Sequence, residues 1–87
     1  MKLKNGFILR EVAGSTVVVP LDPMHTFGGM LQLNGTGKFL WEKMSTETTE
    51  EALVSALVSE YEIDAETAKA DAERFFASLR AFGILEE

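Results

Sequence analysis

Phe27-Gly28-Gly29-Met30-Leu31-Gln32-Leu33-Asn34-Gly35-Thr36-Gly37-Lys38-Phe39-Leu40-Trp41-Glu42 is the stretch in which the hydrophobic period of this chain changes. Up to Leu33 the pattern alternates, with Phe27, Leu31 and Leu33 on one side of an extended backbone. The two glycines weaken it as an isolated strand but leave little side-chain bulk along it. From Asn34 onward the spacing becomes helical: Gly37, Leu40, Trp41 and Met44 fall at i, i+3, i+4 and i+7, a single buried stripe. Asn34, at the junction, has the side chain of an N-cap.

Working outward toward the N-terminus, the chain continues to read as strands. Phe7-Ile8-Leu9-Arg10-Glu11-Val12 and Thr16-Val17-Val18-Val19 are short and rich in β-formers, and Ala13-Gly14-Ser15 supplies a turn between them. Pro20 and Pro23 end the second run, because neither can donate to a ladder.

Toward the C-terminus the chain reads as helices. Thr48-Thr49-Glu50-Glu51 forms a capping box in which Thr48 and Glu51 satisfy one another's end of the turn. Leu53, Leu57 and Tyr61 follow at spacings of four, flanked by Val54 and Val58. Asp64 caps a third helix, with Ile63 placed to staple onto Ala68. Gly83 ends that helix, and Ile84 is placed to pack back on Leu79 as in a Schellman motif. Its inner face is Ala68, Ala72, Phe75, Leu79 and Phe82. Three strands followed by three helices is an α+β order, not βαβ alternation. The expected architecture is winged helix-turn-helix-like: a three-stranded antiparallel sheet before Asn34 and three helices after it, in one domain over 1–87.

Composition limits what such a domain can do. Its 87 residues are 46% hydrophobic, enough for one core, although a domain of this size buries only about 60–65% of its unfolded surface. No cysteine is present, so neither disulfides nor thiolate metal sites support the fold. No apolar run approaches the roughly 20 residues of a membrane span, and Met1-Lys2-Leu3-Lys4 lacks the apolar stretch of a signal peptide. A cytoplasmic protein with no membrane partner is expected. Residues 1–44 carry five Lys/Arg against three Asp/Glu, a net of +2, and residues 45–87 carry three against eleven, a net of −8. The total of −6 disfavours nucleic acid, because phosphate neutralisation supplies most non-specific affinity.

No catalytic constellation emerges. His25 is the only histidine and sits in a Pro/Met/Thr loop, with Asp22 three residues away, too little for a metal site. Glu50/Glu51 and Glu86/Glu87 are adjacent solvated charges that do not form an acid/base couple. Asn34-Gly35-Thr36-Gly37-Lys38 lacks the spacing of a phosphate loop, and no Ser or Thr follows Lys38. Neither enzymatic activity nor a metal or organic cofactor is expected.

The run from Phe27 to Glu42 resembles the signature of the PqqD-like proteins, relatives of the pyrroloquinoline quinone biosynthesis protein D. Leu33-Asn34, Thr36-Gly37 and Leu40-Trp41-Glu42 carry the likeness. Downstream, Thr49-Glu50-Glu51, Tyr61-Glu62-Ile63-Asp64 and the Phe75–Leu79 helix ending in Gly83-Ile84-Leu85 fall in the same order. The likeness extends from about Phe7 to Leu85. It implies a three-stranded sheet with three helices and a non-catalytic recognition element of ribosomally made, post-translationally modified peptides. Such an element holds the leader of a precursor peptide and presents it to a modifying enzyme, commonly a radical S-adenosylmethionine protein. The resemblance further implies a leader site between the third strand and the third helix.

The residues are consistent with that mechanism. An unpaired strand edge is a template for β-augmentation, and the segment of Phe27, Gly28, Gly29, Met30, Leu31 and Gln32 has no proline and no charge. On the third helix Lys69, Ala72, Glu73, Phe76 and Arg80 lie at helical spacing beside the core stripe and form the expected second wall, with Arg80 able to pair with an acidic leader residue. Two other uses fit the same architecture. One is a winged-helix DNA-binding module, opposed by the acidic charge; the other is a dimerisation module forming a homodimer through the strand edge.

Overall fold

The computed structural model describes residues 1–22 and 31–87. Five strands and three helices follow in the order β1 (Lys2–Leu3), β2 (Phe7–Val12), β3 (Ser15–Pro20), β4 (Leu31–Leu33), α1 (Gly35–Lys43), α2 (Glu50–Tyr61), α3 (Ala65–Ala81) and β5 (Leu85–Glu86).

The expected antiparallel sheet is present, in the order β2-β3-β4. β2 and β3 pair from Phe7↔Pro20 to Val12↔Ser15, which leaves a two-residue turn at Ala13-Gly14. Both turn residues have positive φ, +50° and +80°, the requirement of the hairpin turn whose twist matches that of the flanking strands. Ser15 and Pro20 belong to β3, where the sequence placed them in the turn and past the strand; Pro20 is its last residue, a position where a missing N–H is tolerated. β4 pairs with β3 through Thr16↔Leu33, Val17↔Gln32 and Val18↔Leu31. The sequence placed a third strand over 27–33; its Leu31–Leu33 part is strand, and Phe27, Gly28, Gly29 and Met30 lie outside the described residues, as does His25.

One sheet has no counterpart in the sequence reading. β1 pairs antiparallel with β5, Lys2↔Glu86 and Leu3↔Leu85. The Leu3 N–H also donates to the Met44 carbonyl at 3.0 Å, and the Lys4 N–H donates to the Ile84 carbonyl at 2.7 Å. The β1–β5 pairing joins residues more than 80 positions apart, which local patterning cannot register.

The helices begin and end largely where their caps require. The Gly37 N–H donates to Asn34 Oδ1 at 2.8 Å, and the Thr67 N–H donates to Asp64 Oδ1 at 2.7 Å. At the end of α3 the Ile84 N–H reaches the Leu79 carbonyl and the Gly83 N–H reaches that of Arg80, with Gly83 at φ +71°; this is the expected Schellman pattern. α2 differs by one residue. Its N-cap is Thr49, whose Oγ1 accepts from the Ala52 N–H at 3.1 Å, and not Thr48. The Thr48 N–H is taken instead by the Met1 carbonyl at 3.0 Å, a tertiary bond that competes with local capping.

One core joins these layers. Val18, Leu31 and Leu33 from the sheet meet Leu40, Trp41 and Met44 of α1, Leu53 and Leu57 of α2, and Ala68, Ala72, Phe75, Phe76 and Leu79 of α3. Tyr61, read as part of the α2 stripe, is exposed: its ring packs edge-on against Phe39 at 5.6 Å, and its hydroxyl donates to the Gly35 carbonyl at 3.3 Å.

Candidate functional site

β4 is the edge of its sheet. β3 pairs with one side of it, and among the described residues no strand pairs with the other. An edge of this kind offers a row of backbone donors and acceptors to an incoming extended chain. Leu31 and Leu33 turn into the core while Gln32 stays exposed, the period-two alternation of a half-buried strand.

Beside this edge runs a groove of about 600 Å³ bounded by β4, the start of α1 and one face of α3. Its floor is apolar, built from Leu31, Leu33, Leu40 and Phe75. Gly37 of α1 lies against this floor. A Cβ at this position would stand 3.5 Å from the Phe75 ring, 3.5 Å from Leu33 Cβ and 3.3 Å from the capping Asn34 oxygen. Of these, only the approach to the Asn34 oxygen is tighter than ordinary van der Waals contact. The rim is polar, with Gln32, Asn34 and Thr36 on one side and Asp71, Arg74 and Ser78 of α3 on the other. Arg74 donates to the Asp71 carboxylate across one helical turn, and the Ser78 hydroxyl donates to the Arg74 carbonyl at 3.2 Å.

The seven described site residues expected from sequence fall into three groups, and Phe27, Gly28, Gly29 and Met30 lie outside the described residues. Leu31 and Gln32 stand on the groove. Ala72 and Phe76 do not line it: they are 0% and 1% exposed and belong to the core. Lys69, Glu73 and Arg80 are exposed but lie elsewhere on α3. At about 100° per residue their mean direction is roughly opposite to that of Asp71, Arg74, Phe75 and Ser78, which line the groove. Arg80 is engaged with the chain's C-terminal residue, donating to Glu87 Oε1 at 2.6 Å, and this bond holds the Glu87 carboxyl below its ordinary range. The α3 side of this groove is therefore the stripe 71, 74, 75 and 78, which differs from the residues expected on α3 from the sequence. A signal for it existed: these four residues also fall at i, i+3, i+4 and i+7, with the polar members flanking one aromatic ring.

The model of the family described as "Coenzyme PQQ synthesis protein D (PqqD)" matches residues 7–85. The chain belongs to the PqqD family. The motif that marks the likeness acquires a structural meaning here, because the Asn34 cap closes on the Gly37 N–H at the start of α1, and both residues line the groove. A comparison with curated proteins finds no match. Among solved structures, this PqqD-family chain is similar in fold to one described as TbiB1 in complex with the TbiA(beta) leader peptide. The TM-score is 0.75 at 23% identity, covering 99% of this chain and 95% of the other. It is also similar to a lasso peptide synthetase B1 complexed with the leader peptide, with a TM-score of 0.73 at 20% identity, covering 99% and 96%.

Among the described residues no group of three or more His, Cys, Asp or Glu side chains gathers as a metal site would require, and no helix is long and apolar enough to cross a membrane.

Proposed function

We propose that this chain is a non-catalytic recognition module. It captures the leader segment of a ribosomally made precursor peptide and presents it to a modifying enzyme of the radical S-adenosylmethionine type. The observation that carries the reading is the edge of β4, unpaired by any strand among the described residues, running alongside an apolar-floored groove. Strand addition at that edge gives affinity through main-chain hydrogen bonds, and the groove receives every second side chain of the peptide. Family membership supports the reading, as do two solved structures of the same fold described as complexes with leader peptides. The charge of −6 argues against the alternative of a DNA-binding winged helix. A site of this size gives micromolar binding, on the order of −8 kcal/mol.

The test is a titration of the isotope-labelled domain with a synthetic precursor peptide encoded beside its gene. Amide shifts at Leu31, Gln32, Leu33, Arg74, Phe75 and Ser78 are expected. Shifts confined to α2, with β4 silent, would overturn the site.

A further inference from the structure

The groove has one charged feature on an otherwise apolar and neutral lining, the Asp71–Arg74 pair. Its two members are unequal. The Arg74 side chain is 78% exposed and that of Asp71 only 25%, so the guanidinium stands at the mouth of the groove with the carboxylate behind it. One nitrogen of Arg74 donates to Asp71. A guanidinium has five N–H donors in a planar fork, so most remain for a second acceptor. Because Asp71 already orients the side chain, an incoming carboxylate orders less of it than it would an unpaired arginine. An incoming ammonium would meet the like charge of Arg74 before it reached Asp71.

Spacing adds a second constraint. From Asp71 to Ser78 the α3 wall is about 10 Å long at 1.5 Å per residue. A strand laid on β4 turns a side chain toward that wall every second residue, about 6.7 Å apart. The wall therefore accommodates two such side chains. Phe75, on the floor, suits an apolar one; Arg74, on the rim, suits an acidic one.

Resting on the peptide-binding reading above, we infer that Arg74, positioned by Asp71, is the specificity-determining residue of this groove. It selects peptides that carry Asp or Glu two positions from an aliphatic or aromatic residue. The carboxylate forms a charge-assisted, two-point hydrogen bond with the free face of the guanidinium. Its neighbour two residues away covers the Phe75 ring.

A display library of random ten-residue peptides, panned on the whole domain and on its Arg74→Gln and Arg74→Glu variants, tests this. Arg74 is exposed, so both variants keep the core, and a circular dichroism spectrum checks that they do. The wild-type domain should enrich an acidic residue at spacing two from an apolar one. Arg74→Gln should keep the apolar preference and lose the acidic one, with roughly three- to tenfold weaker binding of the best wild-type peptide. Arg74→Glu should exchange the acidic preference for a basic one. Peptides enriched for the apolar residue alone, or an acidic preference that survives Arg74→Gln, would overturn the inference while leaving peptide binding intact. Failure to enrich any peptide would overturn both.

Discussion

The Gly37 N–H donates to Asn34 Oδ1 at 2.8 Å, and a Cβ on Gly37 would stand 3.3 Å from that oxygen. One pair of residues thus starts α1 at the edge of the groove. The cap is local, and both of its residues line the groove.

Asn34→Ala should therefore lower stability by about 1 kcal/mol, the usual cost of removing a cap, whereas Asn34→Ser should cost much less. Urea unfolding of the three proteins measures this. Equal midpoints for wild type and Asn34→Ala would show that the cap bond contributes nothing.

Phe76→Ala should destabilise by about 3–5 kcal/mol, because the ring is 1% exposed and its loss leaves a cavity between α3 and the rest of the core. Trp41→Ala should fall in the same range, its ring being 9% exposed and part of the same cluster. Most small domains have only 5–15 kcal/mol in reserve, so both variants should show a clearly lowered thermal midpoint. A wild-type-like midpoint for Phe76→Ala would place that ring on the surface.

Asp64 makes stability depend on pH. Its carboxylate accepts the Thr67 N–H at 2.7 Å, chiefly for which reason its pKa lies below the ordinary value. A carboxyl with a depressed folded pKa stabilises the protein fully above its unfolded value, about 4, and that contribution fades as pH falls through the folded value. Asp64→Asn retains a capping oxygen without a titrating proton. The variant should show a shallower decline of thermal midpoint below about pH 4 than the wild type. Parallel declines would separate the cap from the acid sensitivity.

Strand addition has a periodicity that side-chain mutation cannot reproduce. A leader peptide N-methylated at single positions should lose binding at every second residue, where the N–H faces β4, and keep it at those between. Isothermal titration of such a series checks this. Uniform tolerance of N-methylation would mean that the peptide does not bind as a strand.

What the sequence determined by itself is whatever neighbours along the chain decide. Asn34 and Asp64 are caps because their side chains reach N–H groups three residues ahead, and Gly83 ends α3 because it adopts positive φ without a Cβ penalty. The hairpin through Ala13-Gly14 and the change of period at Asn34 are equally local, so the order of strands and helices and the α+β class were legible. The tertiary structure decided what depends on distant partners. Thr49 rather than Thr48 caps α2 while the Thr48 N–H goes to the Met1 carbonyl, and β1 meets β5 only because the fold brings the two ends together. It also decided which side of α3 faces β4. Phe75 and Phe76 are both apolar and about 100° apart, so periodicity alone assigns either to the core. Phe76 is enclosed in the core cluster, and Phe75 lines the groove with Asp71, Arg74 and Ser78 beside it.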